Sequence, residues 1–553
     1  MTSVPVGFSW IDYLIFASML LVSVIVGIYQ SYFKPKQDVE DFLLGGRNMK
    51  VLPIAISLIT SKVSAIMLIA IPTDVYRYGS DLFWMFLTVV SSLTINCIIF
   101  LPILFNLELT SMYEYLNLRF DKKTQIFASF LSNLSILLFN PLVMFLPALA
   151  FAQVSGISVG YVTPIVCMVC IFYTTVGGIK AVVWADVFQV ISILIYCLTI
   201  FILGIISGGG FGRIYSDAYD GGRLSTDFTF DITSRQNFWV LLIGGFVHNI
   251  PLFGLHQDLV QKFLSLPKYS DVIKTSIIYC FGFNSLFFLN IFMGSIIYSR
   301  YKNCDPLINK ELTAPDQIVP YYVMDIAGHI PGCPGIFITG LFSAALSTLS
   351  GHLSTAAATI YEDVLSEGIL KNASERTINF SLKLIIVIVG FISTALVYVY
   401  EYMEGAFSIM IIIQGTINGP LLALFLMGML MPKINTKGAL SGCFVGLLFS
   451  SWISFSNYIY KSKGHIVYPT KPMSVEGCDV KMHAHANNAT GEWQPFILYR
   501  ISPWYYLIMC LAVSISIASI VSCFTVKDKI VTKDLVSPLV YFAVTETPEA
   551  TEI

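Results

Sequence analysis

Charge is scarce in this sequence. Only 12% of its 553 residues are Asp, Glu, Lys or Arg, whereas 56% are hydrophobic; soluble domains carry about 25% charged residues. No water-soluble fold of this length could bury so much apolar surface, but a bilayer accepts it directly. The formal net charge is −2, which supplies no basic surface for nucleic-acid phosphates. Histidine is rare too, at seven residues, and none falls in a metal-binding spacing. There is no phosphate-cradling glycine loop and no hydrolase elbow, so enzymatic chemistry and a bound cofactor are not expected. A basic segment ahead of the first apolar run is also missing, so that run reads as a retained helix rather than a cleaved leader.

Long apolar stretches are what the chain has instead. Thirteen of them approach the roughly 20 residues needed to cross a bilayer: 11–29, 51–72, 82–105, 126–151, 159–177, 182–206, 238–255, 273–298, 335–360, 382–400, 407–430, 439–455 and 504–524. All must be helical, or broken only where protein surrounds them, because lipid satisfies no backbone polar group. The expected class is an all-α polytopic membrane protein. Basic residues such as Lys34, Arg47, Lys122, Lys180, Lys262, Lys371 and Lys433 collect in alternate loops. That bias puts the N-terminus outside and the C-terminus in the cytoplasm. It also leaves the sequon at Asn488 outside, where it can be glycosylated, and the one at Asn372 inside. Eleven cysteines lie mostly within the spans; Cys304, Cys333 and Cys478 lie in loops and allow one extracellular disulfide of undetermined pairing. The tail, 526–553, is polar and expected to be disordered. Its last residues, Thr551 to Ile553, fit a ligand for a PDZ-domain partner.

Within the spans a few polar residues stand out. Lys62 sits in mid-span, where a charge costs at least about 2.5–3.5 kcal/mol and marks a partner or a water-filled path. Ser347 and Thr348 offer adjacent hydroxyl oxygens one turn beyond Ala344, suited to a hard cation, or alternatively to close helix packing. His256, Gln257 and Asp258 close the seventh stretch, either as a functional cluster or as a solvated interfacial end. Asp186 and Gln189 read as residues that fix loop geometry. Pro141, Pro147, Gly415, Gly419 and Pro420 mark candidate breaks in two five-helix halves.

Several motifs occur in order along most of the chain: FLLGGR at 42–47, TDVYRYG at 73–79, TSMYEYLNLRF at 110–120 and YTTVGGIKAVVWADVFQ at 173–189. CDPL at 304–307, APDQIVP at 314–320, GPLL at 419–422 and KGALSG at 437–442 follow. Together they resemble the sodium/solute symporter family, above all its monocarboxylate, multivitamin and iodide branch. The resemblance implies a leucine-transporter-type fold, a five-plus-five inverted repeat with flanking helices and about thirteen transmembrane helices in all. It implies segments 1–50 (first helix and cytoplasmic loop), 51–207 and 237–431 (the two repeats) and 208–236 (an extracellular loop). The last two helices then occupy 432–525 and the tail 526–553. It also implies a sodium site made by Thr60 and Val63 on the second helix with Ala344, Ser347 and Thr348 on the ninth. Lys62, Phe253, Gln257, Gln414 and Asn418 are the expected substrate contacts, near Gly415. Lys62, His256 and Asp258 are the expected coupling residues.

Departures from the family pattern matter. Lys62 stands where the family has an uncharged residue, and His256-Gln257-Asp258-Leu259-Val260-Gln261-Lys262 replaces an Asn-Gln-x-Gln-Val-Gln-Arg pattern. Met67 and Val89 stand where an iodide carrier would want glutamines, which argues against iodide. Lys62 could pair with Asp258, place its ammonium in the sodium position, attract a substrate carboxylate, or snorkel to an interface. The leading expectation is a plasma-membrane symporter that moves a small organic anion with sodium by alternating access. The alternatives are a sodium-independent or proton-coupled carrier, a multivitamin or sugar carrier, or a non-transporting sensor or channel. For the sequons, glycosidase treatment of the expressed protein should increase its gel mobility; Asn488→Gln should abolish that shift and Asn372→Gln should leave it.

Overall fold

The computed structural model describes residues 8–32, 39–366, 368–402, 406–478, 494–525 and 531–543. Asn488 and Thr551–Ile553, expected as a glycosylation site and a PDZ ligand, lie outside the described residues. Within them every regular element is helical, as backbone groups in lipid require. The principal helices are α1 (Trp10–Tyr32), α2 (Val51–Lys62), α3 (Ala65–Tyr78), α4 (Asp81–Asn106), α5 (Lys122–Ser155), α6 (Val159–Ser207) and α7 (Val240–Gly254). They continue as α8 (Gln257–Leu264), α9 (Tyr269–Tyr301), α10 (Cys333–Leu365), α11 (Glu375–Tyr400), α12 (Ala406–Leu430), α13 (Thr436–Ser462) and α14 (Tyr506–Phe524).

Ten of these are long and apolar enough to cross a bilayer, and two bent pairs, α2 with α3 and α7 with α8, bring the number to twelve. The expected thirteen requires α6 to count twice. At 49 residues it runs about 73 Å at 1.5 Å per residue, against roughly 30 Å of hydrocarbon. It also contains a non-helical residue, Gly178, at φ 59 and ψ −159. A side chain there would meet the Phe42 ring at 2.7 Å, so both backbone and packing demand glycine.

The two bent pairs lie at the starts of the segments expected as repeats, bending by 52° at Val63–Ser64 and by 48° at Leu255–His256. The breaks expected at prolines are not there. Pro141 and Pro147 lie inside continuous α5 and Pro420 inside continuous α12, where the Thr416 carbonyl that Pro420 frees accepts from Ser450 Oγ of α13 at 3.3 Å.

Packing sorts the helices by residue size. In α10, which is rich in Gly, Ala, Ser and Thr, 94% of the best membrane window is buried, against 22% in the window that contains α14. Small residues let α10 approach α5 and α6 closely: a methyl at Gly340 would stand 2.4 Å from Tyr196 Cβ. Gly438, Gly442 and Gly446 form a similar stripe on α13 against Ser514, Ala518 and Ser522 of α14.

Three expectations change. Lys262, read as a loop cation, is 2% exposed and held inside the bundle. Asp186 and Gln189, read as fixing loop geometry near the start of a span, are buried in mid-helix on α6, at 0% and 1% exposure. Part of the tail expected to be disordered is docked: Ser537 N–H donates to Met429 O at 2.9 Å, Tyr115 Oη donates to Leu535 O at 2.9 Å, and Val536 is buried.

The loop cysteines pair as Cys304 with Cys478, leaving Cys333 free and buried at the start of α10. A crosslink closing a loop this long stabilises by about 4–5 kcal/mol in the chain-entropy view. Cys304→Ser and Cys478→Ser should each lower the thermal midpoint of the purified protein, and the double variant should be no worse than either single.

Candidate functional site

The kink after Lys62 has a chemical consequence. A helix leaves its last carbonyls without intrahelical donors, and α2 ends in the protein interior rather than in water. Val63 N–H still reaches Ile59 O at 2.9 Å. Val63 (φ −81, ψ 76) and Ser64 (φ −85, ψ 168) then leave helical geometry, so the Thr60, Ser61 and Lys62 carbonyls fall past the end of the ladder. Thr60 Oγ1 turns back to Ile56 O and Ser57 O, both at 3.1 Å, and leaves the carbonyl as its outward donor.

Helix α10 faces this break. Thr348 Oγ1 donates to Ser61 O at 3.3 Å and to Ala344 O at 3.1 Å. Ser347 Oγ is buried beside the Asp186 carboxylate without forming a hydrogen bond. Thr60, Val63, Ala344, Ser347 and Thr348 are all buried. Of the α10 hydroxyls, Thr348 thus meets the freed end of α2, while Ser347 lies beside Asp186.

The two lysines diverge. Lys62 Nζ turns to Asp258 Oδ2 at 3.2 Å and His256 Nδ1 at 3.5 Å. It therefore neither snorkels nor lies along the α2 carbonyls. The ammonium that does reach α2 is Lys262, from α8: it donates to Ser57 O at 3.2 Å, to Ser61 Oγ and to Asp186 Oδ2 at 3.3 Å. Ser57 Oγ completes that cluster with a 2.5 Å bond to Asp186. Both pairs lie in the interior, with side-chain exposures of 7% and 4% for Lys62–Asp258 and 2% and 0% for Lys262–Asp186.

Next to the break lies a central cavity of about 90 Å³. One end is polar, with Lys62, His256 and Gln414 beside Ser61, Ser64 and Thr348; the walls are apolar, with Met67, Ile71, Phe253, Phe283 and Phe287. Three of the seven histidines, His248, His256 and His352, line it, and no carboxylate does. A second, smaller cavity shares Phe139, His256, His352 and Gln414 with the first and contains Asp258. Between the two runs a chain of contacts: Lys62 to Asp258 and His256, His256 Nε2 to Asn418 Nδ2 at 3.0 Å, and Asn418 to Gln414.

Of the expected substrate contacts, Lys62, Phe253 and Gln414 line the central cavity, while Gln257 and Asn418 line the second one. Gln257 does not reach the central cavity. Its amide is tied to the loop after α4, donating to Thr110 O at 3.1 Å and accepting from Met112 N–H at 2.8 Å. Sequence reasoning missed His248, His352, Phe407 and Trp504 as cavity residues and Asp186–Lys262 as a pair. A buried Asp and Lys on different spans were the available signal.

Comparison with known proteins follows from this geometry. The model of the sodium:solute symporter family matches residues 42–446. Human sodium-coupled monocarboxylate transporter 1 is 34% identical over 487 residues, covering 88% of this chain and 79% of that protein. A Drosophila melanogaster protein provisionally assigned as a sodium-dependent multivitamin transporter is 32% identical over 511 residues, covering 90% and 83%. A substrate-bound, outward-open structure of a Na⁺-coupled sialic acid symporter has a TM-score of 0.77 at 21% identity, covering 95% of this chain and 100% of that one. That likeness shows the fold, which is of the leucine-transporter type.

Removing one partner of a buried ion pair strands the other and costs about 3–5 kcal/mol. Lys62→Met and Asp258→Asn should each lower the melting temperature of the detergent-solubilised protein. The double variant should recover a substantial part of the loss, a coupling that two independent surface charges would not show.

Proposed function

This chain belongs to the sodium:solute symporter family, whose members are sodium-coupled carriers and not enzymes, and from that premise we propose that its solute is a short organic monocarboxylate. The observation that carries the reading is the lining of the central cavity: the Lys62 ammonium and three imidazoles face it, while the Asp258 carboxylate that pairs with Lys62 stands behind them in the second cavity. Such a lining favours an anion, and the apolar wall opposite suits a short hydrocarbon part. The volume supports a small solute, since about 90 Å³ is less than the ~150 Å³ that admits benzene.

Sodium enters the same picture through Thr348, which lines the cavity and also holds Ser61 O at the break. Lys62 lies between Thr60 and Val63, the two expected carbonyl donors. A cation that orders this turn therefore fixes the direction of the Lys62 side chain. Each ligand then strengthens the other's binding, since coupling between two sites is reciprocal. In alternating access, the aromatic pair Phe407 and Trp504 closes one side of the cavity and the polar chain from Lys62 to Gln414 the other. The reading places the chain in the plasma membrane with its N-terminus outside and a PDZ-domain partner at Thr551–Ile553; the basic-residue bias and the terminal sequence support this.

A multivitamin carrier is the second reading, favoured by the Drosophila relative. Uptake of labelled lactate, pyruvate, biotin and pantothenate, in sodium and with choline replacing it, separates the two. Lactate or pyruvate should accumulate only in sodium, and Thr348→Ala should raise the half-saturating sodium concentration about tenfold or more, the equivalent of one lost ligand. Undiminished uptake in choline, or accumulation of the vitamins alone, would overturn the proposal.

A further inference from the structure

Beyond the central cavity, towards the loop that follows α13, a chamber of about 20 Å³ has a floor made of Phe407 and Trp504. The same two rings line the central cavity, so a single aromatic layer separates the two spaces. The chamber's walls include Arg235, Ser408, Lys461 and Tyr468. Arg235 and Tyr468 also line a wide vestibule of about 610 Å³. Vestibule, chamber, aromatic layer and cavity form one continuous sequence.

The chamber's charges do not balance. Arg235 pairs with Asp74 of α3, whose other oxygen accepts from Gln236 Nε2 at 2.9 Å. That carboxylate is therefore already engaged. Lys461 has no carboxylate at ion-pair distance among the described residues, and Arg235, Arg77 and Asp74 are the charged groups that act on it. Instead, Arg235 Nη1 and Lys461 Nζ both donate to one neutral oxygen, Ser408 Oγ, each at 3.2 Å. Arg235 Nε and Tyr468 Oη are buried without a hydrogen bond. A structural gate would need only Arg235 and Asp74. A second cation beside the first is costly unless something negative joins them.

We propose that Arg235 and Lys461, meeting at Ser408, form an outer carboxylate-binding site that takes up the anion before it passes the Phe407–Trp504 layer. It rests on the reading of the solute as an anion. At about 20 Å³ the chamber holds little more than one water, so the carboxylate oxygens alone would enter it while the rest of the solute trails into the vestibule. The vestibule is mixed in sign, with Lys471 and Arg500 against Asp81, Asp227 and Asp231, so the positive excess is concentrated at the inner step. Such focusing raises the local concentration of an anion by about 10–10³.

Ser408→Cys places a thiol between the two cations. In intact cells, with the parent protein as the blank, it should react at least about tenfold faster with 2-sulfonatoethyl methanethiosulfonate than with the trimethylammonioethyl reagent, after correction for each reagent's intrinsic rate. Adding Lys461→Met should bring the ratio towards one, whereas adding Lys461→Arg should keep it, and 10 mM lactate should slow the anionic reagent. Equal rates, no reaction with either reagent, or a ratio that survives Lys461→Met would overturn the site. If Lys461→Met does not reach the surface, lactate protection of the single variant decides. Labelling needs no transport, so failure of uptake with selectivity intact would reject the solute assignment and leave this site standing.

Discussion

Everything in this molecule depends on one unpaired stretch of backbone. Where α2 stops, in the interior of a membrane protein, its last carbonyls have neither water nor a continuing helix to bond. The cost of leaving them unmet, several kcal/mol per group in lipid, is avoided because α10 brings hydroxyls to the same place. Thr348 takes Ser61 O, and the Lys262–Asp186 pair lies against the same end of α2 through Ser57 and Ser61. That arrangement requires α10 to be built of small residues, since nothing larger lets the helices meet. The composition of α10 and the break in α2 are thus two halves of one constraint.

The buried lysines follow from the same geometry. Each is paired with a carboxylate from a different helix: Lys62 with Asp258 across the two broken spans, Lys262 with Asp186 between α8 and α6. Pairs of this kind add little net stability, because desolvation offsets most of the attraction. What they do is hold register. They tie helices that are distant in sequence, and Lys62 shows this most clearly, since it lines the central cavity and ends α2 at the break.

Much of the fold was legible in the sequence, because a bilayer imposes span length directly. The apolar runs located the helices, and the motifs from residue 42 to 442 indicated their family. What was legible at the site is the inward placement of its polar residues: Ser347 and Thr348 are buried, and Lys62 pairs with Asp258. It was not legible where a polar residue near a span end could equally face water. Lys262 looked like a loop residue, and Asp186 like one that fixes loop geometry, because sequence alone does not show that α8 turns back into the bundle. Gln257 lines the second cavity and not the central one, its amide held by the Thr110–Met112 backbone. Proline misled for the opposite reason: α5 and α12 absorb theirs, while the true breaks fall at Val63–Ser64 and Leu255–His256, where no proline marks them.

The central claim is that one cation at the α2 break and one anion in the adjoining cavity bind cooperatively. It is tested most directly by equilibrium binding of lactate to the purified protein, measured calorimetrically across a series of sodium concentrations at constant ionic strength. Lactate affinity should rise with sodium, and sodium affinity should rise with lactate by the same factor. Lactate affinity that is measurable but indifferent to sodium would contradict the claim.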